Sequence, residues 1–150
     1  MQDQITEPAH NMARGMTVMS ADECDQLLAT TPVGRLGFIA EGVPLILPIN
    51  FAWHDGAIVF RTAGGQKLSA ASIRQEVCFE IDSWNTDAET GWSVILRGTS
   101  EEVHEPTVIH ELADHLHCWS GEADKNRWVM IRPFEISGRR ISLNATDPAT

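Results

Sequence analysis

Three apolar runs follow one another between Val33 and Thr62 with almost no chain to spare between them. Val33 to Ala40 is short and glycine-spaced, Glu41-Gly42 turns the chain, and Val43 to Trp53 follows. His54-Asp55-Gly56 then carries the Asp-Gly hairpin signal ahead of Ala57 to Thr62. Connections this short cannot hold the crossover that parallel strands need, so neighbouring runs must pair antiparallel. Pro44 and Pro48 lack the ladder donor, which puts the middle run on a sheet edge or a bulge.

The same pattern continues. Val77 to Asp82 reads as a fourth strand, Trp84 to Thr90 as a polar loop, and Trp92 to Val103 as a long fifth strand with Val94, Leu96 and Gly98 on one face. Trp128 to Ser137 and Arg139 to Leu143 supply the last strands, hinged at Gly138. Helices interrupt them. Ser20 and Glu23 form a capping box ahead of the Cys24, Leu27, Leu28 stripe, which Thr30-Thr31-Pro32 ends. Lys67 to Arg74 reads as a short helix, and Pro106 opens another that runs to Cys118 on Val108, Ile109, Leu112 and Leu116. The expected fold is mainly β with flanking helices, its six or seven strands closing into a small antiparallel barrel that leaves no exposed edge. Residues 1–16 are expected to form a loose arm, 17–143 the barrel domain and 144–150 a loose tail.

Charge narrows the function. Eleven basic against 21 acidic residues give a formal net charge of −10, which disfavours nucleic acid and anionic membranes as partners. No apolar run approaches the ~18 residues of a membrane span, and no leader pattern opens the chain, so a cytoplasmic location is expected. Seven acids and no Lys or Arg lie between Glu101 and Asp124. Arg61, Lys67, Arg74 and Arg97 make the intervening segment the place for an anionic ligand. Cys24, Cys78 and Cys118 are too far apart for a zinc or redox pair and are expected as mostly buried thiols.

Four segments carry possible chemistry. In Arg61-Thr62-Ala63-Gly64-Gly65-Gln66-Lys67, a strand ends in a base and a hydroxyl, two glycines permit close approach, and a helix with unsatisfied amides begins. That is a phosphate site in physical terms; a plain strand-to-helix turn with solvated charges is the other reading. Leu45 to Phe51 holds Pro48, where the backbone is released from pairing, and Asn50, which needs partners if buried. A flat, polar-edged ring could use that backbone, or it is simply a bulged edge. Trp53, Trp84, Trp92, Trp119 and Trp128 serve either core packing or ring stacking. In His110-Glu111-Leu112-Ala113-Asp114-His115-Leu116-His117, the first two histidines stand five apart and diverge on a helix, so a solvated face is expected and no metal site.

Taken in order, Val33 to Phe38, Pro48-Ile49-Asn50-Phe51, Asp55 to Thr62, Gly65-Gln66-Lys67-Leu68, Val77-Cys78-Phe79-Glu80 and Gly91 to Gly98 resemble the FMN-binding split-barrel superfamily of pyridoxamine 5′-phosphate oxidase-like proteins. The resemblance implies a six-stranded split barrel acting as a homodimer, with two flavin sites at the dimer interface. It implies FMN with its phosphate near Arg61, Thr62 and Lys67, with Gln66 and Leu68 also among the cofactor-binding residues. The ring would lie along Leu47, Pro48, Ile49, Asn50 and Phe51, with Trp92 and Ser93 nearby. Arg139 and Arg140 match a late basic strand that reaches the partner's cofactor, and Arg97 is the candidate for stabilising a reduced anionic ring. The oxidase's own R-x-x-L-L-K strand is replaced by Leu47-Pro48-Ile49-Asn50-Phe51 and its C-terminal substrate clamp is missing, so pyridoxamine phosphate is not the expected substrate. The implied function is an FMN-dependent oxidoreductase of the flavin reductase or nitroimidazole-resistance type, working between a small-molecule electron donor and acceptor. The alternatives are a non-catalytic binder of flavin, deazaflavin coenzyme or haem, and a cofactor-free interaction module.

Overall fold

The computed structural model describes residues 15–62, 74–116 and 127–142. The helix expected over Lys67 to Arg74 therefore lies almost wholly outside the described residues, as do Gln66, Lys67, Leu68, Cys118 and the C-terminal tail.

In chain order the elements are β1 (Met16–Val18), α1 (Ala21–Thr30), β2 (Val33–Ala40), β3 (Val43–Asn50), β4 (Ala52–His54), β5 (Ala57–Thr62), β6 (Glu76–Asn85), β7 (Thr90–Val103), α2 (Pro106–Ala113) and β8 (Arg127–Ile141). They form one antiparallel sheet in the order β3-β2-β6-β7-β8-β5-β4, with β1 on β8. β3 and β4 stand at opposite ends of that order, yet only Phe51 separates them in sequence. The sheet must therefore curl until its ends meet on one continuous strand. With β3 and β4 taken together and β1 as an accessory, this is the expected six-stranded split barrel.

Local chemistry accounts for the elements. The Ser20 hydroxyl accepts from the Glu23 N–H at 3.2 Å, and the Glu23 carboxylate accepts from the Ser20 N–H at 2.8 Å, so α1 starts on its capping box. Both tight hairpins have left-handed central residues, Glu41 (φ 52°) with Gly42 (φ 77°) and Asp55 (φ 48°) with Gly56 (φ 74°). That is the type I′ geometry matching the natural strand twist. β2 alternates, with Leu36, Phe38 and Ala40 turned inward and Arg35 and Ile39 outward. β5 is buried on both faces: Ile58 and Phe60 point into the barrel core, while Ala57 and Val59 pack under α2 against Leu112 and Leu116.

Three expectations need correction. Trp84 and Asn85 extend β6 and Thr90 begins β7, because their ladder runs on to Asn85↔Thr90. β8 is one strand of 15 residues, not two hinged at Gly138. Gly138 pairs with Val94, and a β-carbon there would collide with Met19 and Cys24, so the glycine serves packing. The irregularity lies earlier, where Arg97 pairs with Glu135 but Gly98 with Pro133, leaving Phe134 as the extra residue of a bulge. Met16, expected in the arm, pairs with Ile141 in β1. Among the described residues, no helix is long and apolar enough to cross a membrane.

Candidate functional site

The split in the barrel follows from the registers. β4 pairs with β5 only as far as Ala52↔Val59, whereas β3 runs along β2 from Val33↔Asn50 to Ala40↔Val43. Beyond Ala52 the two strands diverge. Among the described residues, no strand pairs with the outer side of β3 or with β5 residues Phe60 to Thr62 on the side away from β8. In a two-residue hairpin the closing pair, Ala40↔Val43, faces inward, so the even-numbered residues of β3 direct their backbone groups outward. Two of those outward positions are Pro44 and Pro48. The edge therefore keeps its carbonyls but loses half its donors, which blocks another strand and leaves acceptors for a ligand.

The sequence-expected residues fall into four groups. Leu47, Pro48, Ile49 and Asn50 lie on this edge strand, with the Asn50 side-chain amide donating to the Pro32 carbonyl at 3.5 Å. Phe51 is buried at the β3–β4 junction, edge-to-face on Phe79 with ring centroids 4.8 Å apart. Across the divergence, Arg61 and Thr62 end β5. The Arg61 guanidinium lies 4.9 Å over the Trp128 ring. Thr62 is 1% exposed, and its hydroxyl has no hydrogen-bond partner among the described residues. Beside it, Arg127 makes two 2.9 Å hydrogen bonds to Glu102. Those bonds hold the Glu102 carboxyl below the usual carboxylate range, against the opposing effect of burial, and raise Arg127. Arg127 is thereby neutralised locally by its own partner.

Trp92, Ser93 and Arg139 form the third group. Ser93 pairs with Arg139 and Trp92 with Arg140, beside a 330 Å³ recess shared with Ser83 and Ile141. Arg140 reaches Met19 and Glu23 at the start of α1. This group is eleven positions along β8 from Trp128, a contour of about 36 Å at the usual strand rise. Arg97 stands apart from all of them. It is exposed on the outer face, pairs with Glu135 at 3.0 Å and covers Phe134 at 5.6 Å. It lines a 400 Å³ apolar groove with Ile39, Ile46 and Cys78. Cys78 is thus exposed, contrary to the expectation of buried thiols, whereas Cys24 is buried and its thiol pushed up by desolvation and by Asp25 and Glu23.

One feature was missed by sequence reasoning. A 500 Å³ cleft opens beside β4, between the C-terminal ends of α1 and α2. It takes in Thr31, Asn50, Phe51, Trp53, His54 and His115. His54 and His115 are 61 positions apart in the chain, and the signal for a shared site exists only in their packing: their rings face each other at 6.5 Å with 30° between planes. The histidine-rich segment is accordingly more than a solvated helix face. His110 is exposed on α2, while His115 follows the helix end and turns toward β4.

Comparison with known proteins bears on this arrangement. The family model described as pyridoxamine 5′-phosphate oxidase matches residues 20–140. A solved structure of the FAD binding protein from Mycobacterium smegmatis is 37% identical, with a TM-score of 0.75 over 84% of this chain and 98% of that one. An uncharacterised protein of Mycobacterium tuberculosis is 32% identical over 142 residues, 91% of this chain and 92% of its own. The FAD and haem binding protein from Mycobacterium smegmatis, at 16% identity and a TM-score of 0.66 over 90% of this chain and 77% of that one, shares the fold.

Proposed function

The chain belongs to the pyridoxamine 5′-phosphate oxidase-like family of split-barrel proteins, and from that premise we propose that it is a flavin-dependent oxidoreductase acting on a small molecule other than pyridoxamine phosphate. The observation that carries this reading is the divergence of β3 from β5, with Arg61 and Thr62 on its rim. The residues fit a flavin phosphate. The buried Thr62 hydroxyl has no partner among the described residues, and Arg61 supplies the charge. Lys67, with Gln66 and Leu68, completes the cradle in the proposal. The carbonyl-rich outer edge from Leu47 to Asn50 accepts hydrogen bonds from the polar rim of the ring, and Phe51 fixes that edge through Phe79. When bound, a flavin takes up a hydride and passes electrons on. The protein's part is to hold the phosphate, orient the ring and exclude water.

Trp92, Ser93 and Arg139 lie eleven positions along β8 from Trp128, the strand partner of Arg61, so in the proposal they serve the other site of a dimer. The homodimer resolves this: one chain provides Arg61 and Thr62, and its partner's β7–β8 edge closes the site. FMN is the smallest flavin that meets these contacts. FAD is the second reading, favoured by the 37% identical FAD binding protein.

The test is an absorption spectrum of the purified protein, taken again after FMN or FAD is added and dialysed away. A retained two-band flavin spectrum is expected, and it should bleach under an anaerobic reductant and recover on adding an acceptor. Arg61→Ala and Lys67→Ala should each release the chromophore. Retention without turnover would make the protein a flavin store or sensor, a single deazaflavin band or a haem Soret band would change the cofactor, and no retained chromophore would overturn the reading.

A further inference from the structure

We propose that the 500 Å³ cleft beside β4 binds a neutral planar heterocycle of purine type, seated on the Trp53 backbone and faced by His54 and His115. The backbone site follows from register. The β4–β5 hairpin closes at His54↔Ala57, so Trp53 directs both its N–H and its C=O away from β5. One step earlier on that same outer edge, the Phe51 N–H is taken by the Pro32 carbonyl at 3.3 Å. The next rung would fall two residues before Pro32, on Thr30, but that residue is already the last of α1. One donor and one acceptor of Trp53 thus face the cleft with no partner among the described residues. β4 is half-buried, so this pair is open to a ligand from the cleft.

The walls define the occupant. Leu28, Phe51 and Leu116 are buried and give an apolar floor. No Lys, Arg, Asp or Glu is among the described lining residues, and the Asp55 carboxylate lies 3.4 Å from His54 Nε2 at the margin, so the described walls favour a neutral ligand. The imidazoles of His54 and His115 face each other with centroids 6.5 Å apart and 30° between their planes. A flat ring between them needs ~7 Å of face-to-face separation, at the ~3.5 Å contact distance on each side, so the two imidazoles must turn and part to admit it. His115 is exposed and free to yield the remainder. A peptide strand would want a longer edge, whereas β4 has three residues and one outward rung. A heterocycle with a donor and an acceptor on one side meets every feature, and the volume suits a nucleoside. The cleft shares Asn50 and Phe51 with the edge proposed for the flavin ring, but Arg61, Thr62, Trp92, Ser93 and Arg139 do not line it, so it is distinct from the phosphate end of that site.

The experiment is a titration of the full-length protein with adenosine, and separately with FAD, followed by NMR of the histidine ring protons assigned by His54→Asn and His115→Ala. The His54 and His115 signals should move upfield together while that of His104, 78% exposed elsewhere, stays still. His115→Ala, at an exposed position that should not disturb folding, should weaken binding about five- to tenfold. Movement with adenosine assigns a free nucleoside, and movement with FAD alone assigns the adenine end of a dinucleotide; both support the site. Stationary His54 and His115 signals in both titrations, or unchanged affinity in His115→Ala, would overturn it. A flavin that is retained by absorption while both signals stay still would overturn this site and leave the proposed function standing.

Discussion

Gly34 shows how far a single atom can reach in this barrel. It sits on β2 directly beneath the Phe79 ring, and a β-carbon there would overlap that ring. Phe79 is buried and in turn braces Phe51 at the point where β3 and β4 part. Gly34→Ala should therefore cost about 1–3 kcal/mol by overpacking, read as a lower midpoint in urea unfolding, and should weaken flavin retention without touching a ligand. Glu102 offers a second test, with a definite sign. Arg127 lowers its carboxyl in the fold, so the pair contributes stability above the unfolded carboxylate range, near pH 4.3, and loses it as pH falls through the lowered folded value. Glu102→Gln should be less stable than the parent at pH 7, and the gap should close in acid; a gap of constant size from pH 7 to pH 3 would show that the carboxylate charge is not what matters. Legibility at this scale depended on adjacency. Arg61-Thr62 and the two prolines stood out because their chemistry is local, whereas His54 and His115 became neighbours only when α2 packed onto β5.

Among the elements, α2 is the one whose position most depends on packing alone. Glu105 at its N-cap makes no side-chain hydrogen bond, and the helix has only eight residues, so its own propensity cannot hold it. Leu112, fully buried against Val59, Trp128 and Met130, anchors it. Leu112→Ala should cost about 2–5 kcal/mol. Hydrogen exchange should rise first at 106–113 while β6 and β7 stay protected, because they lie in the other core cluster. Elements marked by punctuation were readable in advance: α1 by its capping box, and β2, β3 and β5 by their two-residue turns. β1 was not, since three residues carry no period and the strand exists only because β8 offers an edge. The bulge at Phe134 was hidden for a related reason. Pro133 can be read as an edge signal or a bulge signal, and only the register against β7 decides between them.

At the scale of the whole molecule, the outer face of the sheet carries Ile39, Ile46, Ile95 and Phe134, each about half exposed or more, around the groove that also holds Arg97. A patch of that kind on a chain this size calls for a cover, and the second copy of the proposed homodimer, which would also complete the proposed flavin site, would provide one. Phe134→Asp should accordingly run as a 16.6 kDa monomer in light scattering and lose bound flavin. A sharper test uses two defective variants together. If each site takes Arg61 from one chain and Arg139 from its partner, Arg61→Ala and Arg139→Ala homodimers are impaired at both sites. A mixed dimer would have one site with neither arginine and one with both. Unfolding the two proteins together and refolding them at equal amounts should restore about a quarter of all sites, since half the dimers are mixed and each carries one intact site. Flavin absorbance recovered to that level, from two preparations that each bind poorly, would require the site to be shared. If both arginines came from the same chain, every chain in the mixture would still lack one of them, and no absorbance would return.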